Sequence, residues 1–558
     1  MTRRVLILCL TVASIVFSTS QGFGQQKSKA ADDHLRTNPK LVVGIIVDQM
    51  RYDYITRFYH RFGDDGFKRL VDKGFNCKNN HYNYAPTTTG PGHTSVYTGT
   101  TPATHGVIAN DWYDKTTGED VYCAGDDRYE SVGTDSDAGK MSPHRNTVTT
   151  ITDQLRLATQ MRGKTISVAM KDRGAVMPGG HTANAAYWFQ GKNEGKFITS
   201  SYYMSKLPKW VDDFNVSAAS KYKKPWTTLK PIDSYLESGS DKNNYEGLFD
   251  GENTSEFPHD LPKLWDANGQ FDMIKATPFG NSLTADFAIA ALDGEKLGAD
   301  DIPDFLAVSF SSTDYVGHKY GVNSKEVQDV YMRLDEDLAR LFKALDKKVG
   351  QGEYTVFLTA DHAGMDNAAY LKDSKIPAGN VKWNDNKPKF DEFLKYTFGT
   401  TDVVKVFSNY QFFLDQEVVK NLDMSAKEVQ EAIANEVLTY DGVEHVYTAY
   451  QMWQNEYTHG IPHLIQNGYH QKRSGDVIVV LKPDYVSYGS TGSTHGSPYS
   501  YDTHTPLLFY GMGIQKGSTV ARTEIPDIAA TIAALLGIEF PSGETGNPII
   551  EVLEPSHK

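Results

Sequence analysis

The sequence predicts an α/β fold, a doubly wound and mostly parallel sheet flanked by helices. Three observations carry that prediction. Short β-branched apolar runs, LVVGIIVDQM (Leu41 to Met50), DFLAVSF (Asp304 to Phe310) and YTVFLTAD (Tyr354 to Asp361), read as strands buried on both faces. Amphipathic helical patterns fall between them, as parallel crossovers require. At 558 residues the chain exceeds an ordinary single core, so the sheet must carry insertions or a cap.

Residues 1–25 open with Arg3 and Arg4, run apolar from Val5 to Phe17 and relax into SerThrSerGlnGlyPheGly. That pattern is a secretory signal peptide, too short in its apolar part to span a bilayer, and it places the mature chain in the periplasm or outside the cell. Cys9 lies too early for a lipoprotein cleavage site. Removal of the signal leaves Cys77 and Cys123, which either pair in an oxidising compartment or remain thiols.

A polar linker, 26–40, leads to the main domain, 41–553. Its first strand ends at Asp48. Asp53 to Lys73 has helical spacing with Gly74 as its stop. A Thr-rich turn with Gly90, Pro91 and Gly92 then enters a short helix near Thr94 to Thr98, followed by a polar surface segment to Ser142. Thr149 to Met161 reads as helix and Lys164 to Met170 as strand. Residues from about 183 to 272 are Tyr-, Trp-, Ser- and Asn-rich with poor periodicity, a loop-rich insertion. A helix near Asn281 to Leu297, the Asp304 strand, the amphipathic helix Lys325 to Lys348 and the Tyr354 strand rebuild the core pattern. A second insertion, about 368–471, carries a helix near Ser425 to Val437. Strands Val477 to Leu481 and Leu507 to Gly511 and helix Ile525 to Ile538 close the chain. The insertions are expected to cap the sheet and shape access to its edge.

Hydrophobic residues make up 39% of the chain and aromatics 12%, enough for a packed globule. The net charge of −14 argues against a nucleic-acid-binding surface and against attraction to anionic membranes. An anionic substrate would need a locally positive pocket.

The turn around Thr87 to Thr89 offers such a place, because a hydroxyl there stands near a helix N-terminus, whose free N–H groups favour an anion. Acid-containing clusters follow the strands. Asp314 and His318 are four apart, Asp361 and His362 are adjacent, and Asp48 and His495 complete a set of carboxylates and imidazoles where strands leave a sheet. Each piece alone reads equally as a surface pair or a helix cap; together they suit two divalent metals, and mixed His and Asp ligation favours zinc over magnesium.

The segments PTTTGPGH, HGVIANDWYD, KDRGAVMP, TDYVGHKYG, TADHAGM, THGS followed by YDTHTPLLFYG, and DIAATIAALLGIEFPSGETGNPI, in this order, resemble the alkaline phosphatase superfamily, and most of all its secreted, threonine-nucleophile, di-zinc enzymes of PafA type. The resemblance runs from about Leu41 to Ile550. It implies hydrolysis of small phosphate monoesters to alcohol and inorganic phosphate through a phosphothreonine. Residue by residue it implies Thr89 as nucleophile; Asp314, His318 and His495 as ligands of one zinc; Asp48, Asp361 and His362, with Thr89, as ligands of the other. Asn110, Lys171 and Arg173 would bind the phosphoryl oxygens. His495 is preferred over His504 as the last ligand for its His-Gly-Ser context, and His93 and His105 are expected to be structural. The expected enzyme is a monomer with no membrane span.

Alternatives within the fold are a phosphodiesterase of nucleotide pyrophosphatase type, to which Lys171 and Arg173 are opposed because extra cations suit a dianionic phosphoryl group; a sulfatase, opposed by the lack of a Cys/Ser-x-Pro-x-Arg motif; and a phosphoglycerate-mutase-like enzyme, opposed by Thr89 and the signal peptide. Outside it stands a secreted metal-binding protein without turnover.

Overall fold

The computed structural model describes residues 38–554. The predicted signal peptide and most of the predicted linker lie outside the described residues.

The core is a ten-stranded sheet. Five neighbouring strands are parallel, in the order Tyr354–Thr359, Leu41–Val47, Asp304–Phe310, Thr165–Ala169, Ala185–Gln190. The three strands predicted from their apolar runs sit side by side at the centre, and every residue of each is buried. Helices on both faces supply that burial, which is why these runs show no polar alternation. Leu507–Gly511 adds antiparallel to Tyr354–Thr359, and Lys196–Ser200 antiparallel to Ala185–Gln190.

Several elements depart from the sequence expectation. Ala185–Gln190 and Lys196–Ser200 belong to the central sheet although they fall in the stretch expected to be loop-rich. Their aromatic side chains (AAYWFQ) are buried between layers, a pattern that lacks the β-branched signature of the other core strands. Val477–Leu481 joins not the main sheet but a separate four-stranded one with Val404–Ser408, Gln411–Leu414 and Val443–Thr448. That sheet packs on helices Trp383–Phe398 and Ala426–Val437 around its own apolar cluster, including Phe390, Leu394, Phe412, Val429, Ile433 and Val477. The 53–73 helix is broken into Asp53–Arg57, a short 3-10 turn and Phe67–Lys73. Between the pieces Asp335 accepts from the N–H groups of Gly63 and Phe67, holding the interruption in place. Cys77 and Cys123 are free thiols buried in different apolar clusters.

Candidate active site

Asp48, Asp314 and Asp361 all lie just beyond the C-terminal ends of the three central parallel strands. Parallel neighbours run about 4.8 Å apart, so side chains leaving the same edge converge, as ligand sites in open α/β sheets do. Asp48 follows Leu41–Val47 directly, Asp361 lies two residues past Thr359, and Asp314 opens the helix Ser312–Tyr320. All are buried. Lys171 follows the next strand, Thr165–Ala169, and its Nζ stands 2.7 Å from Asp48 Oδ2, 2.6 Å from Asp314 Oδ2 and 3.4 Å from Thr89 Oγ1.

The imidazoles share one arrangement. His318 Nδ1 is 2.8 Å from the Ser493 carbonyl, His362 Nδ1 is 2.9 Å from that of Ala363, and His495 Nδ1 is 2.7 Å from that of Thr87. A carbonyl only accepts, so each Nδ1 carries the proton and each Nε2 presents a lone pair. Those Nε2 atoms face carboxylates: His318 and His495 lie 3.2 Å and 3.7 Å from Asp314 Oδ1, and His362 lies 3.6 Å from Asp48 Oδ1 and 3.5 Å from Asp361 Oδ2. A proton on Nε2 closes such a contact for His318, where burial is outweighed by Asp314 and the ring is raised, whereas a neutral ring facing a carboxylate needs a cation between them.

The helix that starts at Thr89 is longer than the sequence suggested, Thr89–Thr98, and wholly buried. Thr88 is its N-cap in extended conformation, so Thr89 occupies the first turn, beside unpaired backbone N–H groups. Gly92 lets the helix lie against the strand end, since a Cβ there would collide with the Asp361 carbonyl. Asn110 Oδ1 accepts from the Gly90 N–H at 2.7 Å, which commits its oxygen. Arg173 begins the helix Asp172–Gly179; its Nη1 donates to Tyr122 Oη at 3.2 Å, while its buried Nε has no partner.

Electrostatics follow from crowding. Burial, then repulsion from Asp314 and Asp361, pushes the Asp48 carboxyl well above its ordinary range. Burial works in the same direction on Asp314 and Asp361, but His318 and Lys171 beside the first, and His362 and His93 beside the second, hold both below it. Burial depresses His362 and, far more, His495, which stands next to other imidazoles. For Lys171, burial opposes the charge but Asp314 and Asp48 outweigh it, and the ammonium is held charged.

The residues fit a metal. Asp48 Oδ1, Asp361 Oδ2 and His362 Nε2 are buried without a hydrogen-bond partner, which costs about 1–3 kcal/mol each unless something is bound there. Among the described residues, donor atoms lie within 4.8 Å of one another in the groupings Asp48, Asp361, His362 and Asp314, His362, His495. His362 thus stands between both sets, stacked on His495 at 3.4 Å, and His318 approaches the second set through Asp314.

The predicted carboxylates, imidazoles, Thr89 and Lys171 are brought together here, while Asn110 joins them through the Gly90 N–H and Arg173 is held by Tyr122. The residues set aside lie apart from the cluster or serve as supports. His504 stacks between Tyr52 and His81 and bonds the Lys78 carbonyl. His93 bridges the Thr89 carbonyl and Ser309, and His105 is locked by Ser95 and the Val107 N–H. Sequence reasoning missed Gln49. Its N–H donates to Asp361 Oδ1 at 3.2 Å and its Nε2 to Asp314 Oδ1 at 2.9 Å, from a left-handed backbone (φ 61°) unusual for a residue with a side chain. Tyr315, with Lys171 Nζ 5.1 Å over its ring, and Tyr122, which bonds both Arg173 and Asp172, were likewise not singled out.

A family model described as type I phosphodiesterase / nucleotide pyrophosphatase matches residues 42–506. Alkaline phosphatase PafA of Elizabethkingia meningoseptica is 43% identical over 96% of this chain and 98% of its own. A protein of Myroides odoratus named calcium-transporting ATPase is 45% identical over 92% of this chain and 95% of its own. The crystal structure of wild-type alkaline phosphatase PafA matches with a TM-score of 0.89 at 44% identity, covering 93% of this chain and 99% of that one.

Proposed function

Because the chain belongs to the type I phosphodiesterase / nucleotide pyrophosphatase family of the alkaline phosphatase superfamily, we propose that its site hydrolyses phosphate monoesters to alcohol and inorganic phosphate through a phosphothreonine on Thr89, with two zinc ions as resident metals. The observation that carries this reading is the gathering, around a Lys171 Nζ that also stands 3.4 Å from Thr89 Oγ1, of buried carboxylates and of imidazoles whose Nδ1 atoms are all committed to backbone carbonyls. Asp48, Asp361, His362 and Thr89 would hold one ion, and Asp314, His318 and His495 the other. Bound there, zinc supplies Lewis acidity at the Thr89 oxygen and at the leaving oxygen.

The chain's own residues do the rest. Thr89 loses its hydroxyl proton to water and its Oγ attacks phosphorus in line; an O–P bond forms, the ester O–P bond breaks, and the leaving alkoxide takes a proton from water. Water then attacks the phosphothreonine, frees the Thr89 oxygen and releases inorganic phosphate. The helix N-terminus and the Asn110 amide donate to the phosphoryl oxygens. Arg173 grips two of them as a planar fork, and Lys171, a point charge 3.4 Å from Thr89 Oγ1, offsets the third.

The diesterase reading shares the family model, but two cations at the phosphoryl site favour a dianionic monoester. The Myroides relative's name concerns transport; in this chain no described helix is long and apolar enough to cross a membrane. The mature enzyme acts in the periplasm or outside the cell, as a monomer. Rapid acid quench during turnover, with peptide mapping, tests the covalent step: phosphate is expected on Thr89. Thr87 Oγ1 is committed to the Ser497 carbonyl, whereas Thr88 Oγ1 is buried without a partner. Phosphate on Thr88 would reassign the nucleophile, and a burst with no phosphopeptide would remove the covalent step.

A further inference from the structure

Arg173, one of the two cations proposed above for the phosphoryl group, is held by a single side-chain contact. Among the described residues its guanidinium has one hydrogen-bond partner, Tyr122 Oη at 3.2 Å from Nη1, and its Nε is buried with none. A guanidinium only donates, so the phenol oxygen accepts from Arg173 and keeps its one proton for another acceptor. That acceptor is Asp172 Oδ1, which also takes the Arg173 backbone N–H. Arg173 and the acid beside it in sequence are thus kept apart by a neutral oxygen.

Tyr122 is itself fixed. It ends the strand Glu119–Tyr122 and pairs across a hairpin with Asp111, the first residue of the strand Asp111–Asp114. Its carbonyl accepts from Arg145 Nε at 3.0 Å, and the Cys123 N–H bonds the Asn110 carbonyl at 2.8 Å. Asn110, whose side chain holds the Gly90 N–H next to Thr89, and Tyr122 are therefore neighbours across one hairpin end. One short hairpin secures both the amide and the arginine.

We propose that Tyr122 is a positioning residue for the reaction: its hydroxyl aims the Arg173 fork at the phosphoryl oxygens and keeps the guanidinium from closing on Asp172. This role rests on the phosphoryl contact proposed for Arg173. A planar fork grips two oxygens only in one orientation, and a long side chain without its anchor spreads over many rotamers. Without the phenol oxygen, a direct pair with Asp172 would draw the charge away from the substrate.

The test is a double-mutant cycle on the mature, zinc-loaded protein, read with a matched aryl monoester and diester and with inorganic phosphate as inhibitor. Tyr122→Phe should lower monoester kcat/KM about tenfold or more, weaken phosphate inhibition in parallel and lower diester turnover less, with zinc content retained. In an Arg173→Ala background the same substitution should cost nothing further, because the group it aims is gone. If Tyr122→Phe does not fold, Asp172→Ala, which removes the phenol's acceptor, should show the same loss of selectivity and the same silence behind Arg173→Ala. Losses that multiply in the double variant, or that are equal on both esters, would overturn the role and leave Arg173 a phosphoryl ligand. Undiminished monoester turnover in Arg173→Ala would overturn that ligand assignment and the role of Tyr122 with it.

Discussion

Two kinds of buried carboxylate can be compared in this molecule. Asp153 accepts from the N–H groups of Thr150 and Thr182, the Thr182 hydroxyl and His181. Asp329 accepts from Trp226, the Leu229 N–H, Tyr235 and Arg333. Asp48 and Asp361, buried at least as deeply, each keep an oxygen without a hydrogen-bond partner, that of Asp361 facing His93 Nδ1 only at 3.4 Å. The first kind is closed by the protein and stabilises it; the second is left open and awaits a ligand. Burial alone does not distinguish Asp153 and Asp329 from Asp48 and Asp361, whereas the donors that each acid receives do.

The largest effect that would break this comparison lies at the nucleophile beside the open acids. Thr89→Ala should reduce monoester turnover by a factor on the order of 10⁴ while metal content, read by elemental analysis, is retained; unchanged turnover would remove Thr89 from the chemistry. Removing both Lys171 and Arg173 charges should lower monoester turnover about a hundredfold more than diester turnover, and equal losses would deny them a role in charge matching. Asp48→Asn should weaken metal binding by about a hundredfold or more, with little loss of Tm in the metal-free protein because burial and like charges already disfavour the carboxylate there. Asp153→Asn should do the reverse, costing about 2–3 kcal/mol of stability in denaturant titrations with metal content unchanged. If both variants behaved alike, the distinction between open and closed acids would fail.

The smallest effect is a pH dependence of the closed kind. The hydrogen bond His181 donates to Asp153 raises His181, and for Asp153 burial is outweighed by His181 and the neighbouring donors, so its carboxyl is lowered. The His181 contribution is fully present below its unfolded value of about 6.5 and is lost as pH rises through the raised folded value. The Asp153 contribution is present above its unfolded value of about 3.9 and is lost as pH falls through the lowered one. The stability gap between wild type and His181→Asn, measured by urea titration, should therefore be widest between those unfolded values and narrow on the alkaline side. A gap independent of pH would show that the pair is not ionic.

Much of the site was legible because acids that end apolar runs announce strand ends, and Asp48 and Asp361 stand out in this way. Asn110, Lys171 and Arg173 gained roles only from the resemblance, since a Lys-Asp-Arg after a strand also describes a solvated edge. Gln49 was invisible because neither a positive φ nor a contact with residues some 265 and 312 positions away leaves a mark in local sequence. The carbonyls of Ser493 and Thr87 that orient His318 and His495 are equally remote. The Ala185–Gln190 strand was missed because aromatic and alanine residues replace the β-branched pattern, and Val477–Leu481 was misplaced because an apolar run does not say which sheet will bury it.

The most direct measurement is steady-state turnover of a matched aryl phosphate monoester and diester by the mature protein, before chelation, after it, and with zinc restored. A monoester preference that chelation abolishes and zinc returns is the expected result. A zinc-restored preference for the diester, or turnover indifferent to chelation, would contradict it.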